Sequence, residues 1–180
     1  MSSVTAHFNE AGIGDKTNYF IDKLPFNYLY VGLIKAALPQ AKIVHVMRNP
    51  MDTCYAVYKT LFQQAYPFSY QQQELAAYFI SYQKLMQHWA QLADLDIHQI
   101  SYEELVSAPK ETGKKLYQFC GLDWHDRYID VTSQQGMVNT ASASQVRQEI
   151  HQGSLQKWQH YRQQLAPLKA QLEKAGIVCD

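Results

Sequence analysis

The stretch KIVHVMRNPMDTCYAVY, Lys42–Tyr58, decides the fold class of this 180-residue chain. Its apolar start, Ile43–Met47, has the length of a buried strand and is too short for a typical helix. Pro50 and Asp52 then favour a first helical turn, because proline needs no N–H donor there and a carboxylate complements the helix dipole. The stretch therefore predicts a β-strand that ends at Arg48 and leads directly into a helix.

Arg48 is the first candidate for a binding residue. In an open α/β sheet, ligands gather beyond the carboxyl ends of the strands, which is where the pattern places Arg48. A guanidinium group there can bind a phosphate through two parallel hydrogen bonds. The spacing alone is equally compatible with a second interpretation, in which Arg48 is a solvated charge at a strand end.

The rest of the chain predicts a second strand and several further helices. Ile97–Tyr102 is the second strand candidate, and the order strand, helices, strand implies a crossover and hence a parallel sheet. Ser69 is a candidate N-cap with Gln72 as its capping-box partner, and Gly121 is a candidate C-cap. The residues between Asp130 and Ser144 predict a long loop. Apolar residues at helical spacing predict helices over about 27–38, 50–63, 109–120 and 154–175, and a long one after Ser69.

Composition limits the function classes. Sixteen Lys and Arg residues balance sixteen Asp and Glu residues, so no overall positive field would recruit nucleic acid or an anionic membrane. A hydrophobic fraction of 47% predicts a folded chain, and we expect a single domain over residues 1–180 with an irregular start at 1–18. The cysteines Cys54, Cys120 and Cys179 lack metal-ligand spacing and favour reduced thiols in a cytoplasm. We expect neither a membrane span nor a bound metal.

Four blocks of the sequence stand out in order: FIDKLPFNYLYVGLIKAALPQAKIVHVMRNPMDTCYAVY (Phe20–Tyr58), LMQHWAQL (Leu85–Leu92), ISYEELVSAPKETGKKLYQFCGLDW (Ile100–Trp124) and QVRQEIHQGSLQKWQHYRQQLAPL (Gln145–Leu168). Together they resemble the sulfotransferases that use 3′-phosphoadenosine-5′-phosphosulfate (PAPS). The likeness is to the branch of bacterial, tetratricopeptide-linked and tyrosylprotein sulfotransferases, and it covers about residues 18–170. It implies an α/β fold of partial P-loop type, in which a small parallel sheet lies between helices in three layers.

The resemblance assigns roles to individual residues. Lys23 matches the catalytic lysine that the family places against the bridging oxygen of the leaving phosphate. Arg48 matches the arginine that binds the 3′-phosphate of the nucleotide, and Tyr102 matches a tyrosine near the adenine. The cofactor-binding residues expected in the last block are Arg147, Ser154 and Lys157.

The same resemblance implies the reaction and its partners. PAPS would be the co-substrate, and the acceptor would be a small molecule or peptide that offers a hydroxyl or an amine. No metal, nucleic acid or membrane is implied, and a homodimer is compatible with it.

The chain departs from the family at several positions. Ala56 stands where the family usually has a serine for the 3′-phosphate, and Thr53 and Tyr55 do not project along that face of the helix. His151-Gln152-Gly153 replaces the Arg-Lys-Gly triplet of cytosolic relatives. The Gly/Ser/Thr-rich loop for the 5′-phosphosulfate has no counterpart before Phe20, so the chain resembles the carboxyl-terminal two-thirds of such an enzyme. Two hypotheses therefore stand, a PAPS-dependent enzyme and a non-catalytic PAP-binding or interaction module.

Overall fold

The computed structural model describes residues 19–63, 65–92, 95–130 and 153–180 of the chain. Within these residues it contains six α-helices and two β-strands, so the chain is a mixed α/β protein as predicted. The stretch 131–152 lies outside the described residues. It includes Arg147 and almost all of the predicted long loop.

The elements follow one another in an order close to the one that the sequence predicts. The α-helices and strands are α1 (Val31–Ala37), β1 (Ile43–Met47), α2 (Pro50–Tyr58), α3 (Gln72–Gln91), β2 (Ile97–Ser101), α4 (Tyr102–Ser107), α5 (Pro109–Cys120) and α6 (Ala166–Lys174). Short 3₁₀ helices cover Pro25–Tyr30, Pro67–Tyr70, Asp126–Ile129 and Lys157–Tyr161.

The two strands form a parallel sheet, which confirms the predicted crossover. Ile43 pairs with Ile97 at one end of the register, and Met47 pairs with Ser101 at the other. Both strands therefore end at the same edge of the sheet. That edge brings the residues that follow them, Arg48 and Tyr102, next to each other.

Helices cover both faces of this sheet. His45 of β1 bonds to Tyr82 of α3, while His98 of β2 stacks on Phe119 of α5 with ring centroids 4.8 Å apart. His98 pairs with Val44, the neighbour of His45, so the two histidines point to opposite faces of the sheet. The sheet thus lies between helices, as the three-layer fold requires.

The main hydrophobic core lies between α2, α3 and α6, beside the end of β1. It fixes the helix that follows Arg48, because Met51 and Cys54 of that helix are buried in it. Trp158 contributes to the core and is only 6% exposed. The largest fully buried apolar side chains of this core are Met51, Leu75, Leu168, Leu172 and Cys54.

The predicted final helix over 154–175 is wrong. The chain instead forms a 3₁₀ helix at Lys157–Tyr161, and α6 begins only at Ala166. Pro167 explains the break, because it lacks the N–H that a continuous helix would need and fits only the first turn of a new one. Gln156 also has a left-handed backbone, with φ of 56°, which no helix continues through.

Other helix ends also differ from the predictions. Helix α2 stops at Tyr58, short of residue 63, and the helix predicted from residue 27 begins as the 3₁₀ helix Pro25–Tyr30. Ser69 is not an N-cap, since it is buried within Pro67–Tyr70 and α3 begins after Gln71 without a side-chain cap. The Gly121 prediction is confirmed, because this residue ends α5 with φ of 70°.

No helix in the described part of the chain is long and apolar enough to cross a membrane.

Candidate functional site

Three residues from separate blocks of the sequence meet where the two strands end. The guanidinium carbon of Arg48 lies 4.9 Å from the centre of the Tyr102 ring. The Nη2 of Arg48 donates to the main-chain oxygen of Ser154 at 2.6 Å, and the hydroxyls of Tyr102 and Ser154 share a hydrogen bond of 3.2 Å. We call these three residues the Arg48 cluster.

Local capping explains why Arg48 and Tyr102 lie at this edge. Asn49 caps α2, because its Oδ1 accepts the N–H of Asp52 at 3.0 Å. Ser101 caps α4 in the same way, accepting the N–H of Glu104 at 3.3 Å. Each strand therefore ends directly in a helix, and the adjoining residue is held at the boundary between the two.

Glu103 ties the two strand ends together. One carboxylate oxygen accepts the N–H of Asn49 at 2.8 Å, and the other accepts the hydroxyl of Ser101 at 2.9 Å. Burial acts to raise the pKa of Glu103, but the N–H and O–H donors and the nearby charge of Arg48 together hold that pKa below its ordinary value. The ionised carboxylate thus stabilises the edge on which Arg48 lies.

Asp52 joins α2 to the segment that carries Ser154. Its side chain is 1% exposed, and its Oδ2 accepts the N–H of Gln156 at 2.6 Å. Its Oδ1 accepts the N–H of Trp158 at 3.4 Å. We call residues 153–158 the Ser154 turn. The sequence pattern indicates only a role for Asp52 in the helix dipole, and nothing in its spacing indicates partners 104 and 106 residues away.

A cavity of about 400 Å³ opens beside the cluster. The Nε of Arg48 is buried nearby and meets no acceptor among the described residues. The carboxylates that face the cavity already accept hydrogen bonds from main-chain or hydroxyl donors, so their charges are partly satisfied. The residues lining it are Asn49, Asp52, Glu103, Leu155 and Gln156.

The remaining predicted site residues do not join the cluster in this structure. Lys23 is exposed ahead of Pro25–Tyr30 and makes no hydrogen bond or ion pair within the described residues. Lys157 is exposed at the first position of its 3₁₀ helix, one residue after Gln156. The roles of both lysines stay predictions. Arg147 lies outside the described residues.

The side chains next to Ala56 are engaged elsewhere. The hydroxyl of Thr53 donates to the main-chain oxygen of Asn49 at 3.0 Å, and Tyr55 stacks on Tyr161 with ring centroids 5.1 Å apart. Neither side chain therefore replaces the hydroxyl that position 56 lacks. Among the described residues there is also no group of three or more His, Cys, Asp or Glu side chains that could hold a metal ion.

The fold and the cluster define an α/β protein with an arginine at the carboxyl edge of a parallel sheet. Comparison with known proteins gives the family. The model of the sulfotransferase family matches residues 2–126, and the chain belongs to that family. The matched residues include Lys23, Arg48 and Tyr102, whereas the Ser154 turn follows them.

A curated relative extends the match towards the carboxyl end. An uncharacterized protein of Aquifex aeolicus (strain VF5) is 33% identical over 151 residues, which is 82% of this chain. The aligned part is 20% of that relative, so the chain spans about a fifth of its length.

Proposed function

We propose that this protein transfers a sulfuryl group from PAPS to a hydroxyl or amine acceptor. Membership of the sulfotransferase family supports sulfuryl transfer in general. The observation that carries the choice of donor is the convergence of Arg48, Tyr102 and Ser154 at one edge of the sheet. A guanidinium, an aromatic ring and a hydroxyl together suit a nucleotide that carries a phosphate on its ribose.

The proposed roles follow from the chemistry of each group. Arg48 would bind the 3′-phosphate, because its planar fork of N–H donors matches phosphate oxygens. Tyr102 would contact the adenine with its ring. Ser154 and Lys157 would add a hydroxyl and a positive charge on the side of the Ser154 turn.

Lys23 would act on the transfer itself. During the reaction an acceptor oxygen or nitrogen bonds to sulfur, and the bond from sulfur to the bridging phosphate oxygen breaks. Negative charge then builds on that bridging oxygen, which a nearby ammonium stabilises. Because Lys23 is exposed and unpaired among the described residues, it is free to reach a bound nucleotide. The acceptor proton would pass to a base that these residues do not identify.

A second candidate function is a PAP-binding or interaction module without catalysis, where PAP is adenosine 3′,5′-bisphosphate. Ala56 favours it, since a hydrogen bond to a charged group contributes about 1.5–3 kcal/mol. Losing one bond would weaken nucleotide binding about ten- to a hundredfold. Release of PAP from PAPS with an added acceptor supports the enzyme, whereas PAP binding without any release supports the module.

A cytoplasmic location also stays a proposal, which the free thiols of Cys54, Cys120 and Cys179 favour.

Calorimetric titration of the purified chain with PAP tests the donor site. We expect Arg48→Ala to abolish measurable binding. Arg127→Ala is a matched control, because Arg127 also lies over a tyrosine ring, 5.5 Å from the centre of Tyr128, but is exposed and outside the cluster. Unchanged affinity in Arg48→Ala would remove Arg48 from the site.

A further inference from the structure

We propose that Asp52 is a positioning residue, which holds the Ser154 turn against Arg48 and so builds one side of the nucleotide site. This inference rests on the proposed PAP and PAPS site, and it adds a residue to which that proposal gives no role. Asp52 would not touch the nucleotide. It would act through the backbone of the turn.

The first support is the way in which Asp52 is buried. A carboxylate that is 1% exposed is costly unless hydrogen bonds satisfy it. Both of its oxygens accept main-chain N–H groups, and both donors, Gln156 and Trp158, belong to one short segment. Such bonds fix the path of the backbone and leave the side chains of the segment free for other contacts.

The second support is the conformation of the turn. Gln156 has φ of 56°, a left-handed conformation that residues with a side chain rarely adopt. Its N–H is the one that Asp52 accepts at 2.6 Å, so the carboxylate stabilises the backbone at its least favourable residue. Among the described contacts, the hydrogen bond to Asp52 is therefore the main one that stabilises the unusual conformation of Gln156.

The third support is the position of the contacts along the turn. Two residues before Gln156, the main-chain oxygen of Ser154 accepts from Arg48 and its hydroxyl meets Tyr102. Two residues after Gln156, Trp158 is anchored in the core. Asp52 therefore holds the middle of a segment of which one end enters the core and the other completes the Arg48 cluster.

The test compares two nucleotides on Asp52→Asn. Asparagine keeps the size of the side chain but replaces one acceptor oxygen with an NH₂ donor. That donor would face an N–H donor of the turn, so one of the two hydrogen bonds would be lost. PAP carries the 3′-phosphate assigned to Arg48, whereas adenosine 5′-monophosphate (AMP) lacks it. We expect the affinity for PAP to fall at least about tenfold and the affinity for AMP to change much less. A purely structural role would lower the folded fraction and weaken both nucleotides equally.

Asp126→Asn is the matched control. Asp126 also accepts two side-chain hydrogen bonds, from Lys110 at 2.5 Å and Trp124 at 2.9 Å, but it is exposed and outside the site. The ratio of PAP to AMP affinity should stay unchanged in this variant. An unchanged ratio in folded Asp52→Asn would overturn the positioning role, while PAP binding by the wild type would leave the proposed function standing. If the wild type does not bind PAP, both proposals fail.

A second measurement covers the case in which Asp52→Asn does not fold. In the wild-type protein, amide hydrogen exchange measures directly how well the N–H groups of Gln156 and Trp158 are protected. We expect saturating PAP to slow the exchange of both amides by more than saturating AMP does, because the 3′-phosphate would stabilise the contact between the turn and Arg48. Equal protection by both nucleotides, or none by either, would contradict the role of Asp52.

Discussion

Gly113→Ala should destabilise the protein, although alanine normally favours a helix. Gly113 is buried within α5, and a Cβ at this position would lie 2.4 Å from Cζ3 and 2.5 Å from Cη2 of Trp124. The indole cannot easily withdraw. Its Nε1 donates to Asp126 at 2.9 Å, and its ring meets the ring of Tyr117 edge-on at 5.2 Å.

The magnitude follows from two opposing effects. Overpacking of this kind costs about 1–3 kcal/mol, and displacing the indole from its partners adds to that cost. Replacing glycine inside a helix returns about 1 kcal/mol. We expect a net loss of about 1–2 kcal/mol in the free energy of unfolding, which corresponds to a fall of about 2–8 °C in Tm.

Urea denaturation followed by circular dichroism measures this loss, and a second background identifies its cause. In Trp124→Leu the indole is gone, so adding Gly113→Ala should now stabilise the protein by up to about 1 kcal/mol. The effect of the alanine should therefore change sign between the two backgrounds. Stabilisation by Gly113→Ala with Trp124 intact would refute the packing argument.

Three further predictions concern single side chains. Burial lowers the pKa of His45, which bonds to Tyr82, so its contribution to stability is complete above about pH 6.5 and is lost as the pH falls below that value. His45→Gln should flatten the fall in unfolding free energy between about pH 7 and pH 5, and an unchanged slope would contradict this. Lys23→Ala should reduce turnover with PAPS more than PAP affinity, whereas equal losses would argue against a transition-state role. Burial, with Cys179 close by, raises the pKa of Cys54 to about 12, so iodoacetamide should label Cys54 in the native protein far more slowly than the half-buried Cys120. Equal labelling rates would contradict the buried position of Cys54.

Patterns that act over a few residues predicted much of the fold. The apolar runs predicted both strands, and the order of elements between them predicted that they are parallel. Gly121 predicted the end of α5, because only a left-handed residue fits there. The apolar spacing of the last segment favours one continuous helix, whereas Pro167 carries the opposite signal and determines where α6 begins.

The candidate site was predictable only in part. Arg48 could be placed at the edge of the sheet because it follows a strand, whereas Tyr102 came from the family resemblance. Ser154 came from the family resemblance alone. The contact between Asp52 and the Ser154 turn could not be foreseen, because it depends on a left-handed Gln156 and on main-chain donors, which leave no pattern in the sequence.

The bond from Arg48 to Ser154 spans 106 residues, and this separation sets the order of events during synthesis. A ribosome must release the whole stretch from Arg48 to Ser154 before the guanidinium can meet its partner, and contacts between residues so far apart form slowly. Nucleotide binding would therefore require that the Ser154 turn has already folded against Arg48. If the proposed site is correct, a nucleotide at a hundred times its Kd would stabilise the folded protein by about 2.7 kcal/mol, while newly made chains would gain nothing until the Ser154 turn had docked.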